Sequence, residues 1–233
     1  SAPPRAAGLP AAPAAPPEAE DPITVQYRIV AERLSPLTDK SYFQILRVKP
    51  DSRPEQLERS HRYLLRRVEQ EPPDDGWSAT RDLLSEAYQV LADASQGKRY
   101  ADLDKSNVAA RMAFEAEPKV ERALKAMGTK RFGESKFLLQ WAGRLDPSRL
   151  DVPTHLSTLE HFSLANPGRV ALEEKIYVLD QEIARQPHDW RIKLCQAVLL
   201  ARAGESQRAK ALLDVAPSSD HPLVLQALAA LTR

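Results

Sequence analysis

Five histidines, one cysteine and scattered carboxylates are the residues of this 233-residue chain best suited to chemistry. His61, His155, His161, His188 and His221 are dispersed along it. The closest two, His155 and His161, stand six apart, not the four that put two ligands on one helical face, and HEXXH is absent. The spacing therefore predicts no metal site. Cys195 is alone, so no intrachain disulfide or thiolate cluster can form, and its expected role is that of a small core hydrophobe. Asp74 and Asp75 adjoin at a predicted loop, where they are expected to be solvated. No GxxxxGK[ST], GxGxxG or GxSxG occurs. Gly-Glu-Ser at 133–135 and 204–206 falls at predicted turns, and eight glycines leave little for loops that cradle phosphate. No catalytic residue, cofactor or metal ligand is assigned, and the chain is expected not to be an enzyme.

The elements that would position any site are helical. Ile23, Tyr27, Val30, Ala31 and Leu34 recur at helical spacing behind an Asp21-Pro22 start, and Pro36 ends the run. SYFQILRV (41–48) is short and apolar. The next run opens with a cap signal at Asp51 or Ser52 and Pro54, and sets Leu57, His61, Leu64 and Val68 on one face. After Pro72 and Pro73, residues 78–95 predict a second long helix with Trp77, Leu84, Ala87, Tyr88 and Leu91 as its buried stripe. Sustained apolar/polar alternation is missing throughout, so the fold class expected is all-α. Residues 1–22, mostly Ala and Pro, predict a disordered linker. The remainder divides into a helical domain over 23–110 and a repeat domain over 111–233.

Hydrophobic residues make up 42% and charged residues 28%, ordinary for a globular chain, and 33 basic against 32 acidic residues give a net charge of +1. That balance exerts no global pull toward nucleic acid or an anionic membrane. No apolar run approaches the ~20 residues of a membrane helix, and residues 1–22, which lack an apolar h-region, are not expected to be a signal peptide. With a single cysteine these features lead to the expectation of a cytoplasmic protein. A start at Ser1 suggests a piece of a longer protein or a trimmed one, and the Ala-, Arg-, Leu- and Pro-rich usage suggests a GC-rich bacterial source.

Residues 41–104 resemble a DnaJ-type J domain. Tyr42, Phe43, Ile45, Leu46 and Val48 stand where that family has its first helix, and SHRYLLRRVEQE is similar to its second. Glu86, Ala87, Tyr88, Val90, Leu91, Asp93 and Tyr100 match the end of the third helix and the turn after it. In active members a His-Pro-Asp tripeptide follows the second helix and touches a DnaK-type ATPase chaperone. Here Glu69, Gln70 and Glu71 occupy those places, and Arg81 replaces a phenylalanine whose space Trp77 could fill. The resemblance thus implies a kept scaffold without its trigger. Arg59, Arg62 and Arg66, at i, i+3 and i+7 with Arg67 beside them, form a basic stripe that in the family meets an acidic chaperone surface. A solvated helix face is the plainer reading of the same four residues. No aromatics interleave and acids follow at once, so nucleic acid is not the expected partner.

The second half resembles degenerate tetratricopeptide repeats. Ala123, Phe132, Ser135, Leu139, Ala142 and Pro147 fit one unit; Ala197, Leu200, Gly204, Ala209, Leu213 and Ala216 fit another. The unit between carries Lys175 and Glu182 where alanine is preferred and a break at Asn166-Pro167-Gly168. Positions that hold a carboxylate clamp in some relatives are Val120 and Leu124 in the first unit and Arg191 and Cys195 in the third, so no clamp is expected. The J-like bundle, or an end helix such as 221–233, is expected to cover exposed ends. The expected function is that of a non-enzymatic adaptor for a protein partner, a DnaK-type chaperone or another acidic protein surface. The alternative is an active cochaperone that recruits such an ATPase through a nonstandard loop.

Overall fold

A computed structural model of the chain describes residues 21–164, 167–214, 216 and 218–232; the predicted linker, up to residue 20, and Asn166 lie outside them. The described residues form helices and no strands, so the fold is all-α. In order these are α1 (Pro22–Leu34), α2 (Tyr42–Ile45), α3 (Pro54–Glu69), α4 (Asp75–Ala92), α5 (Ala94–Ser106), α6 (Val108–Gly128), α7 (Phe132–Leu145), α8 (Asp151–Ser163), α9 (Arg169–Arg185), α10 (Trp190–Arg202), α11 (Ser206–Leu213) and α12 (Pro222–Leu231). A short 3-10 turn over Ser35–Leu37 follows α1.

Local chemistry sets the starts. The Asp21 carboxylate accepts from the Thr24 N–H at 3.3 Å, and Pro22 supplies a preset φ. The α3 start differs from expectation: Pro54 holds the first helical position, so Arg53 is the cap, with its N–H on Gln56 Oε1 at 3.0 Å. The Ser52 hydroxyl accepts from Lys49 N–H instead. Asp74 is no idle loop acid, because its carboxylate accepts from the Trp77 N–H at 2.6 Å and starts α4 at Asp75. Asp93 then ends α4 and caps α5, accepting from the Ser95 and Gln96 N–H groups at 3.0 and 2.8 Å.

α3 packs beside α4 through Leu57 and Leu64, with α2 and α5 on other sides of α4. α4 therefore buries more than the predicted stripe: Gly76, Ala79, Leu83, Leu84, Glu86, Ala87 and Val90 are inside, while Trp77, Tyr88 and Leu91 are half-buried. α1 wedges between α4 and α7 and so joins the two halves. Glycines permit that approach. A Cβ on Gly133 would lie 2.4 Å from the Tyr27 backbone N, and one on Gly76 would lie 2.9 Å from the Ile29 carbonyl oxygen.

From α6 onward, α6 with α7 and α10 with α11 are helical hairpins, with α8 and α9 between them. Ala123, Ser135, Leu139, Ala142, Ala197, Leu200 and Ala209 are fully buried in these seams. α12 packs on both α6 and α10 through Leu223, Val224 and Ala227. Lys175 is buried, with its Nζ donating to the Ser157 hydroxyl at 2.5 Å, which satisfies the ammonium inside the fold.

Candidate functional site

α3 carries the predicted basic stripe. Its inner face is fixed by Leu57, Leu64 and half-buried His61 and Val68, so its outer face must hold Arg59, Arg62, Arg66 and Arg67, all exposed. Arg62 pairs with Glu58 one turn back. Arg59, Arg66 and Arg67 have neither an ion pair nor a hydrogen bond with any described residue. Tyr63, more than half exposed, stands among them. Glu55, Glu58, Arg59, Arg62, Tyr63 and Arg66 line an open depression of about 440 Å³. The stripe is thus a cationic surface with three guanidiniums uncommitted, and, contrary to the expectation that no aromatic interleaves, with Tyr63 at its middle.

The tip beyond it is tied down. Glu69, Gln70 and Glu71 are exposed, but the Glu71 carboxylate accepts from Arg33 of α1 at 2.5 Å. The Val68 carbonyl takes the Glu71 N–H at 3.0 Å and the Trp77 indole N–H at 2.6 Å. Arg81 lies over that indole, its guanidinium 5.2 Å from the ring centroid. Trp77 and Arg81 together cover the end of α3. His61 stacks on Tyr88 with centroids 4.3 Å apart, yet its Nε2 lacks the hydrogen bond a packed histidine usually makes, and burial lowers its pKa.

Three of the four clamp positions are closed off, and the fourth, Arg191, lies at the edge of an open depression of about 660 Å³ beside Phe114, Glu117 and Glu121. Val120 and Leu124 are fully buried, Cys195 likewise, and Arg191 is engaged with Glu117. The face shared by α6 and α10 is taken by α12, with Gly128 so close that a Cβ there would meet the Pro222 backbone at 2.7 Å.

Sequence reasoning missed a buried charge network that links the two halves. Lys119 of α6 is fully buried against Glu86 of α4, and its Nζ sits 4.8 Å from the Trp141 ring centroid. Tyr42 donates to Glu86 at 2.5 Å, and Arg122 lies 3.4 Å from the same carboxylate. Burial pushes the Glu86 carboxyl up, but Lys119 and Arg122 together overcome this and hold it below its ordinary range. Burial draws the Lys119 ammonium down, and its lone strong partner, Glu86, offsets only part. Beside them Tyr100 stacks on Tyr42 at 4.8 Å, accepts the Tyr42 N–H and donates to Glu115, whose carboxyl burial raises. The signal was present: Lys119 falls on the apolar stripe of Ala116, Val120 and Ala123, where a lysine needs a buried partner. No helix among the described residues is long and apolar enough to cross a membrane.

The chain matches no model of a known protein family, no curated protein and no solved structure.

Proposed function

We propose that this chain is a non-catalytic adaptor that binds an acidic protein surface through the outer face of α3. The observation that carries the reading is the set of exposed guanidiniums Arg59, Arg66 and Arg67, left without partners in a chain that has 32 acidic residues. Some other arginines of this fold are paired, as Arg149 is with Asp151 and Arg185 with Glu182, but no other helix gathers three unpaired ones on a single outer face among the described residues. Uncommitted charge on a rigid helix steers encounter and fixes register with a complementary partner. The likeness of residues 41–104 to a J domain supports an acidic chaperone surface as one such partner. The closed tip, with Glu71 on Arg33 and Trp77 on Val68, supports binding without activation of an ATPase.

The test pairs two measurements on the full chain. A DnaK-type chaperone's ATPase rate is measured with and without it, and no stimulation is expected. Capture from host lysate is then compared between the wild type and Arg59→Glu/Arg66→Glu, with retained proteins identified by mass. Loss of an acidic partner in the variant, reversed by nothing but restoring charge, supports the reading. An unchanged capture profile, or clear ATPase stimulation, refutes it.

A further inference from the structure

We propose that Asp151, His155 and Asp189 form a site for a divalent transition-metal cation such as Zn²⁺ or Mn²⁺, bound through His155 Nε2 and one oxygen of each carboxylate. This goes beyond the adaptor reading and does not depend on it. Asp151 and His155 are four apart on α8 and so share a face, and Asp189 caps α10, which packs against α8. A ring nitrogen of His155 and one oxygen from each aspartate all lie within 4.8 Å of one another. Ligands about 2.1 Å from a common ion are separated by no more than ~4.2 Å, so a small contraction closes the set.

The second observation is the ring itself. His155 is fully buried, and its Nε2 has no hydrogen-bond partner. Nδ1 faces the Cys195 sulfur at 3.8 Å. A proton on Nδ1 directed at that sulfur leaves the Nε2 lone pair free for an ion, the tautomer that metal-binding histidines are held in. Burial, outweighing Asp151 and Asp189, draws the His155 pKa down to about 4, so the ring is neutral near pH 7, as a ligand must be. The buried Cys195 stays a thiol, its pKa pushed up to about 12, and is an orienting neighbour rather than a ligand.

The charge around the site also suits a cation. Arg149 grips Asp151 with Nε to Oδ1 at 3.0 Å and Nη2 to Oδ2 at 2.6 Å, which fixes the carboxylate while each oxygen keeps a further lone pair. Glu117 takes both Arg149 and Arg191, and Arg191 Nε lies 3.7 Å from Glu121. Four carboxylates therefore face three cationic groups, Arg149, Arg191 and Lys125, the last 3.6 Å from Glu121, which leaves one negative charge in excess for a cation to meet. Asp189 accepts the Arg191 N–H through Oδ1 at 2.9 Å, is half-exposed, and offers the route of entry.

Chelator-treated full-length chain would be titrated with ZnCl₂ and with MnCl₂ by calorimetry, with circular dichroism on every variant. One site per chain is expected. His155→Gln and Asp189→Asn should each weaken it by on the order of 100-fold or more, since loss of mere supporting groups already costs about 10–100-fold. His161→Gln, which alters a half-buried histidine outside the site, should leave it unchanged. If His155→Gln loses helicity, Asp189→Asn decides, because asparagine keeps the α10 cap. The absence of a one-to-one step in the wild type overturns the proposal, and so does a folded Asp189→Asn variant with wild-type affinity.

Discussion

Lys119→Met is the perturbation that probes this fold most directly. Methionine keeps most of the volume of a fully buried side chain and removes only its charge. Glu86 would be left with Tyr42 and with Arg122 at 3.4 Å. At an effective dielectric of about 20, Arg122 still supplies about 5 kcal/mol of gross attraction, against a desolvation cost of several kcal/mol per buried ion. Breaking one side of a buried pair ordinarily costs about 3–5 kcal/mol, so with Arg122 remaining the loss should fall near the lower end, about 3 kcal/mol. Glu86→Gln and the double variant complete the cycle, and the double should be less destabilised than the sum by at least about 1 kcal/mol. The assay is urea unfolding followed by far-UV circular dichroism and by tryptophan fluorescence. Trp77 on α4, Trp141 on α7 and Trp190 on α10 report from three regions. Because the pair joins α4 to α6, both signals should move together in the variant. The acid side gives a second check. The Glu86 carboxyl is held below its ordinary 4.5, so its contribution is whole above that pH and is lost as pH falls through its folded value. The gap between wild type and Lys119→Met should narrow there. A midpoint within about 0.5 kcal/mol of wild type, or transitions that separate by probe, would refute the account.

Gly133→Ala should destabilise the chain by about 1–3 kcal/mol, because its Cβ would meet the Tyr27 backbone N at 2.4 Å, and backbone cannot yield as a side chain does; an unchanged melting temperature would show that α1 does not seat there. Trp77→Phe should cost about 1 kcal/mol by removing the indole donor from the Val68 carbonyl, measured by urea unfolding followed by circular dichroism. The same variant should speed amide exchange in the last turn of α3, and unaltered exchange would count against the closed tip.

The helices and their period were legible along the chain, since each turn's apolar residues repeat whatever lies opposite. So were the Asp21 cap, the burial of Cys195 and the exposure of the α3 arginines. Some boundaries were not: Arg53 caps α3, and α4 starts three residues before the predicted Ser78, because a proline's position and an aspartate's hydrogen bond decide those ends. The site residues were legible as a stripe, but their lack of partners was not, because pairing depends on what the rest of the fold brings near. The same holds for the interior. Sequence showed Lys119, Glu86 and Tyr42 as separate residues on separate helices, and His155 as a histidine too far along the chain from His161. Only the approach of α4 to α6 and the packing of α8 on α10 placed a carboxylate against the lysine and a second aspartate beside the imidazole. Helical period is a local property of the backbone and is written in consecutive residues, whereas charge compensation in a dry interior depends on distances across the fold, which consecutive residues do not encode.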